Sequence, residues 1–170
     1  GFFNRLQLTP IRPSALLAGQ LAGTLVLGVL QAVTYIAIGL LAGAEIEAGV
    51  PGVLVMIALS VVITLAFGSI GLFAGTRAKS AESVQGIFPL LFVFLFLSSM
   101  SLPRDLIQTD WFQTVATYNP ISYMIEGIRS LLIVGWDVEA LALGFGCALA
   151  ILVAGLAAAT VSLRSRLERT

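Results

Sequence analysis

Four runs along this chain carry no charged residue: 14–44, 48–76, 83–103 and 140–163. Each is long enough to cross a bilayer as a helix, since about 20 apolar residues span the ~30 Å hydrocarbon core. None alternates with the period of two that a membrane β-strand shows. The runs therefore predict four transmembrane helices. Between the third and fourth lies a segment of another kind. Asp110 can cap a short helix with Trp111, Phe112 and Val115 on one side. Asn119-Pro120 then reads as a second start, with Asn at the cap and Pro at the first helical position. Ile121, Met124, Ile125, Ile128, Leu131 and Leu132 follow at helical spacing, Glu126, Arg129 and Ser130 lie off that stripe, and Gly135 closes it. Two short half-apolar helices are thus predicted over 105–135, dipping part-way into the membrane. Trp111, Tyr118, Tyr123 and Trp136 are the residue types that settle at its boundary. At the other end of the chain, Phe2, Phe3 and Leu6 share a face beside Arg5. Thr9-Pro10 and Arg12-Pro13 break the segment before the first span, so residues 1–13 predict a short helix lying on the membrane surface.

Composition removes the alternatives to a membrane fold. Hydrophobic types make up 58% of the chain and charged types 11%, against about 25% charged in a soluble domain. Too few charges remain to cover a water-facing surface, and the fold class is all-α integral membrane. The placement of the charges gives the orientation. Arg5, Arg12, Arg77, Lys79, Arg164, Arg166 and Arg169 fall on one side of the predicted spans, and Arg104 and Arg129 on the other. Cytoplasmic loops carry the excess of basic residues. Both ends of the chain and the Arg77–Lys79 loop are therefore expected inside the cell membrane, and the Glu45–Glu47 turn and residues 104–139 outside. No basic tract of the kind that grips nucleic acid is present. The chain opens at Gly1 in mid-stride, and an upstream part is expected to precede it.

Candidate chemistry is sparse. The sequence has no His, no P-loop, no metal-ligand cluster and no Ser/His pairing, so no enzyme activity and no bound cofactor are expected of it. No charged residue lies within a span, which argues against a proton-driven pump or a voltage sensor. Cys147 lies in an apolar run and reads as a packing residue. Small residues form ladders at four-residue spacing: Ala15, Gly19 and Gly23; Ser60, Thr64 and Gly68; Gly146, Ala150, Ala154 and Ala158. Such faces let helices approach closely in lipid, either within this bundle or at a sliding subunit interface. In the first span Gln20, Thr24, Gln31 and Tyr35 fall within one 60° arc at 100° per residue. They need polar partners, supplied by another helix or by an aqueous path. In the third run Phe92 and Phe96, with Phe88 and Phe94, contact lipid or core, or else form an apolar wall for a greasy substrate.

These pieces in this order resemble the later part of an ABC-2 type permease, the membrane subunit of ATP-driven exporters of the daunorubicin-resistance and nodulation kind. Arg5-Leu6-Gln7-Leu8-Thr9-Pro10-Ile11-Arg12 is similar to the family's segment ahead of its third span. Asn119-Pro120-Ile121-Ser122-Tyr123-Met124-Ile125-Glu126-Gly127-Ile128-Arg129 is similar to its signature ahead of the last span. The second match is the more specific. Gln20 departs from the family, which often has a Lys there.

The resemblance implies spans three to six of a six-span permease with both ends cytoplasmic, and a homodimer or a pair with a paralogous permease. It also implies a separate nucleotide-binding subunit that holds ATP and Mg. The docking role falls to the segment containing Phe3, Arg5, Leu6, Leu8, Thr9, Pro10 and Arg12. Asn119, Pro120, Tyr123, Glu126 and Arg129 form either an outer gate or only a cap on the bundle, with Glu126 and Arg129 one turn apart and able to neutralise each other. Gln20, Thr24, Gln31, Tyr35, Phe92 and Phe96 become a substrate path. A path without charges suits a hydrophobic or amphipathic substrate: a drug, lipid, glycolipid or polysaccharide. Two other classes remain open, an ATP-independent channel or carrier and a membrane anchor module of a larger complex.

Overall fold

The computed structural model describes residues 13–78 and 85–167, and the helices below are those of the described residues. Helix α1 runs Pro13–Leu41 and α2 Gly49–Arg77. Helix α3 covers Ile87–Phe96, and a 3-10 turn follows at Arg104–Leu106. Helices α4 (Asp110–Tyr118) and α5 (Pro120–Ile133) lead into α6, Val138–Leu167. No strand occurs among them. Three stretches are long and apolar enough to cross a membrane: Leu17–Leu41, Gly49–Arg77 and Val138–Leu163. The chain is a multi-pass membrane protein.

The ends of these helices follow local chemistry. Pro13 opens α1 with its φ already set for a helix. Asp137 accepts from the Ala140 N–H at 3.0 Å, so α6 begins at Val138, two residues ahead of the charge-free run. At its other end α6 continues to Leu167, past the expected limit at 163. Lack of charge marks the part of a helix that lipid can cover; it does not set where helical hydrogen bonding stops. Gly135 has φ +97°, a left-handed conformation that a side chain would strain, and its N–H donates to the Ser130 carbonyl at 2.8 Å. That closes α5 where the sequence predicts.

The third run departs from expectation. A helix over 83–103 is predicted, but the described helix ends at Phe96. Ten residues rise only about 15 Å, half the hydrocarbon thickness. Residues 97–100 turn away, and Ser98 and Ser99 are buried in the turn. The turn is held from both sides: Leu97 and Ser98 donate back to the carbonyls of Val93 and Leu95, and a side chain at the start of α5 binds those of Phe94 and Leu97, as described below.

Helix α2 packs along α6 and α1, and α5 lies between α2 and α6 at the end that holds the α1–α2 turn. That turn joins this layer, because the N–H groups of Glu47 and Ala48 donate to the carbonyls of Leu132 and Leu131 at 3.3 and 3.1 Å. Met56, Leu59, Leu131 and Leu141 form the buried cluster there, with Ala48 over it. Close approach of small residues, rather than expulsion of apolar surface, holds such helices together in lipid. A Cβ built on Gly127 would lie 3.6 Å from the Gly144 Cα and 3.0 Å from Leu59, so α5, α6 and α2 meet at one point. Lower down, a Cβ on Gly155 collides with the Ser69 hydroxyl and stands 3.2 Å from the Ser69 carbonyl carbon.

The packed ladder of α6 is therefore Gly144, Ala148, Gly155 and Ala159, all buried. The more regular ladder read from the sequence points the other way. Gly146 has open space around it, and Ala150 and Ala154 are exposed. Gly19 and Gly23 of α1 are open as well. Spacing identifies a small face but cannot say which of two faces meets a neighbour.

The two ladders give a direct comparison. Gly155→Ala forces α2 and α6 apart and should lower stability by about 1–3 kcal/mol. Gly146→Ala, on the open face, should stay within about 0.5 kcal/mol of the parent. Thermal unfolding of the two variants in the same detergent separates them; equal effects would remove the assignment of the packed face.

Candidate functional site

A helix leaves its last four carbonyls without intrahelical partners, and in apolar surroundings each needs one. The end of α3 finds them partly in its own turn, where the N–H groups of Leu97 and Ser98 donate to the carbonyls of Val93 and Leu95 at 2.9 and 3.2 Å, and partly at the start of α5. Asn119 is buried, and its Nδ2 donates to the carbonyls of Phe94 at 2.6 Å and Leu97 at 3.1 Å. Its Oδ1 accepts from the Ile121 N–H at 3.0 Å. One carboxamide thus caps the start of α5 and the end of α3 together. Ser122 and Ser99 bind reciprocally: the Ser99 N–H donates to Ser122 Oγ at 3.1 Å, and Ser99 Oγ donates to the Ser122 carbonyl at 3.2 Å. Arg129 Nη2 donates to the carbonyls of Ser99 and Met100 at 2.6 and 3.1 Å. Arg129 Nη1 is buried with no hydrogen-bond partner among the described residues.

A second latch joins α5 to the 3-10 turn. Arg104 Nε donates to Glu126 Oε1 at 2.8 Å, and its Nη2 donates to Oε2 at 2.7 Å. This planar fork is stronger than a single contact. The guanidinium carbon sits 4.2 Å from the centre of the Tyr123 ring. The Glu126 hydrogen bond raises the Arg104 pKa, so the cation holds its proton more firmly still. Tyr123 reaches back to α4, where its hydroxyl donates to the Thr117 carbonyl at 2.8 Å. Gln113 Nε2 donates to the Arg104 carbonyl at 3.2 Å and closes the ring of contacts. Trp111, Tyr118 and Trp136 stand exposed around it, as boundary aromatics do.

Comparison with known proteins now decides the family. The ABC-2 type transporter family model matches residues 1–133. The chain belongs to the ABC-2 type transporter family. It is also 31% identical over 138 residues to the daunorubicin resistance ABC transporter permease protein DrrB1 of Streptomyces coeruleorubidus. That match covers 78% of this chain and 47% of the relative, so the chain spans about half the length of the curated relative it matches. No solved structure matches it.

Set against this geometry, the residues singled out from the family signature fall into one assembly. Asn119, Tyr123, Glu126 and Arg129 all take part in the two latches, and Pro120 occupies the first position of α5. Their pairing is different from that expected. Glu126 binds Arg104, and Arg129 binds backbone carbonyls, so the neutral Glu126–Arg129 pair does not form. Side chains one turn apart can meet, but a bidentate fork from Arg104 and a row of open carbonyls offer each group a better partner. Ser130 is buried too, with Oγ donating to the Gly127 carbonyl. Helix α6 covers the face of α5 that looked free.

Arg104, Ser99 and Ser122 escaped the sequence reading. Arg104 carried a signal, being one of two basic residues among the many acids of the outer segment. The residues of the expected path are not brought together. Gln31 and Tyr35 line a groove of about 450 Å³ between α1, α2 and α5. Thr24 instead packs on Gly68 and donates to the Gln20 carbonyl. Phe92 and Phe96 are exposed on α3, 6.5 Å apart, outside the groove lining. The docking segment, Phe3 to Arg12, lies outside the described residues.

A double-mutant cycle tests the pairing. Arg104→Ala with Glu126→Ala should show a coupling of about 0.5–3 kcal/mol in unfolding free energy. Glu126→Ala with Arg129→Ala should be additive within about 0.5 kcal/mol. The reverse pattern would restore the Glu126–Arg129 pair.

Proposed function

We propose that this chain is part of the membrane-spanning permease subunit of an ATP-driven exporter. Its cargo is a hydrophobic or amphipathic substrate leaving the cytoplasm. The family match carries this reading. The name of the DrrB1 relative agrees with a drug-like cargo. ATP and Mg bind to a separate nucleotide-binding subunit, and two permease chains pair above two such subunits. In this reading the chain lies in the cell membrane, with both of its ends cytoplasmic. It contributes spans three to six, α1, α2, the run containing α3, and α6, and the absence of charge from the interior of the described spans suits a greasy cargo better than an ion.

The outer end supplies the gate. Helix α5 grips the broken end of α3 through uncharged hydrogen bonds and one guanidinium. These contacts release and re-form without moving a charge across lipid. Arg129 keeps one donor in reserve, so it can exchange carbonyl partners as α3 shifts. The Arg104–Glu126 fork holds the 3-10 turn on α5 while the path is closed. When ATP closes the partner subunits, the segment 2–12 pushes on α1 and the bundle opens outward.

Two measurements test this. In intact cells, cysteines placed at Glu47 and Gln108 should react with an impermeant thiol reagent and one at Lys79 should not; labelling at 79 alone reverses the orientation. In vesicles holding the full-length permease and its ATP-binding partner, replacing residues 2–12 by Gly/Ser should leave insertion intact and separate ATP hydrolysis from export. Unchanged export after that replacement would end the coupling role.

A further inference from the structure

The groove between α1, α2 and α5 is not explained by the gate. Gln31 and Tyr35 stand exposed on its α1 wall, one turn apart, and neither side chain has a hydrogen-bond partner among the described residues. Leu41 ends α1, so Gln31 lies about 15 Å below the outer end at 1.5 Å per residue. That is close to the middle of a ~30 Å hydrocarbon core, where an unpartnered carboxamide is costly. Met56, Ile63, Ile128 and Leu132 supply apolar walls, and no charged residue lines the groove. Thr64 is already engaged with the Ser60 carbonyl at 2.8 Å. The free polar groups are thus neutral, and they face a groove large enough for a small ligand.

We propose that this groove is a lateral binding site for a neutral amphiphile. Its apolar body lies on Met56, Ile63, Ile128 and Leu132, and an uncharged hydrogen-bonding group meets Gln31 and Tyr35. The outer turn closes one end of the groove, at Ala44 and Ile46, so the ligand enters from the side, through lipid. An anionic or cationic headgroup has no counter-charge there and is excluded by the cost of taking it out of water. A plain hydrocarbon leaves the two polar groups unpaired and gains less.

The test uses the full-length permease with its ATP-binding partner in nanodiscs, without ATP. Three photoactivatable probes are compared: a diacylglycerol, a phosphatidylglycerol and an alkane of similar length. The diacylglycerol should label peptides containing residues 31–64 most strongly. Gln31→Leu and Tyr35→Phe should each lower its labelling by about three- to tenfold, the scale of one lost hydrogen bond. Gly39→Leu should block it. A Cβ there has only Ala44 nearby, at 3.9 Å, so the added side chain fills the groove without displacing a helix. Equal labelling by all three probes, or labelling indifferent to Gln31→Leu, means ordinary lipid contact and overturns the proposal. So does a disulfide between two copies formed by Tyr35→Cys in a Cys147→Ser background, because a second chain then covers the groove. Binding is read without turnover, and its failure leaves the export reading untouched.

Discussion

A backbone carbonyl that ends inside lipid must find a donor, because no water is there to supply one. The half of this protein that holds α5 is organised around that requirement. Helix α3 stops at Phe96, and its open carbonyls are met by Asn119 and, beyond the turn, by Arg129. The partners come from one short helix, and that helix must therefore lie across the end of α3. Its own start is fixed by the same Asn119 side chain. The arrangement is economical in polar groups and leaves little freedom in position.

Holding α5 there has consequences for the rest of the bundle. Its backbone passes close to α6 only because Gly127 and Gly144 face each other. Its last carbonyls receive the outer turn between α1 and α2. Its apolar face completes the buried cluster around Leu59 and Met56. It also forms one wall of the groove beside Gln31 and Tyr35. A displacement of α5 would be felt at the end of α3, at the outer turn and in the groove together. This is the physical basis for the proposed gate.

The two latches differ in kind. The one at the end of α3 is mostly neutral: a carboxamide, paired serines and a single guanidinium on carbonyls. The other is a charged fork at a partly exposed position, with side-chain exposures of 22% for Arg104 and 17% for Glu126. A pair buried further would lose more from desolvation than it gains, and a fully exposed one would contribute little.

The sequence by itself marked three long apolar helices, because absence of charge over about 20 residues suits a helix that lipid can cover, and three of the four charge-free runs form one. It determined the start and end of α5 as well, because Asn119-Pro120 and Gly135 act through their own backbone. Local chemistry of that kind needs no knowledge of neighbours. Partners do. Whether Glu126 meets Arg129 or Arg104, and whether Gly146 or Gly155 faces a helix, depends on where distant segments lie. The third run shows this most clearly. Residues 83–103 are apolar enough to continue as a helix. The turn after Phe96 is begun locally, with Leu97 and Ser98 donating back to Val93 and Leu95, but the Phe94 and Leu97 carbonyls are taken up by Asn119, more than twenty residues away, and only the tertiary structure brings that side chain within reach.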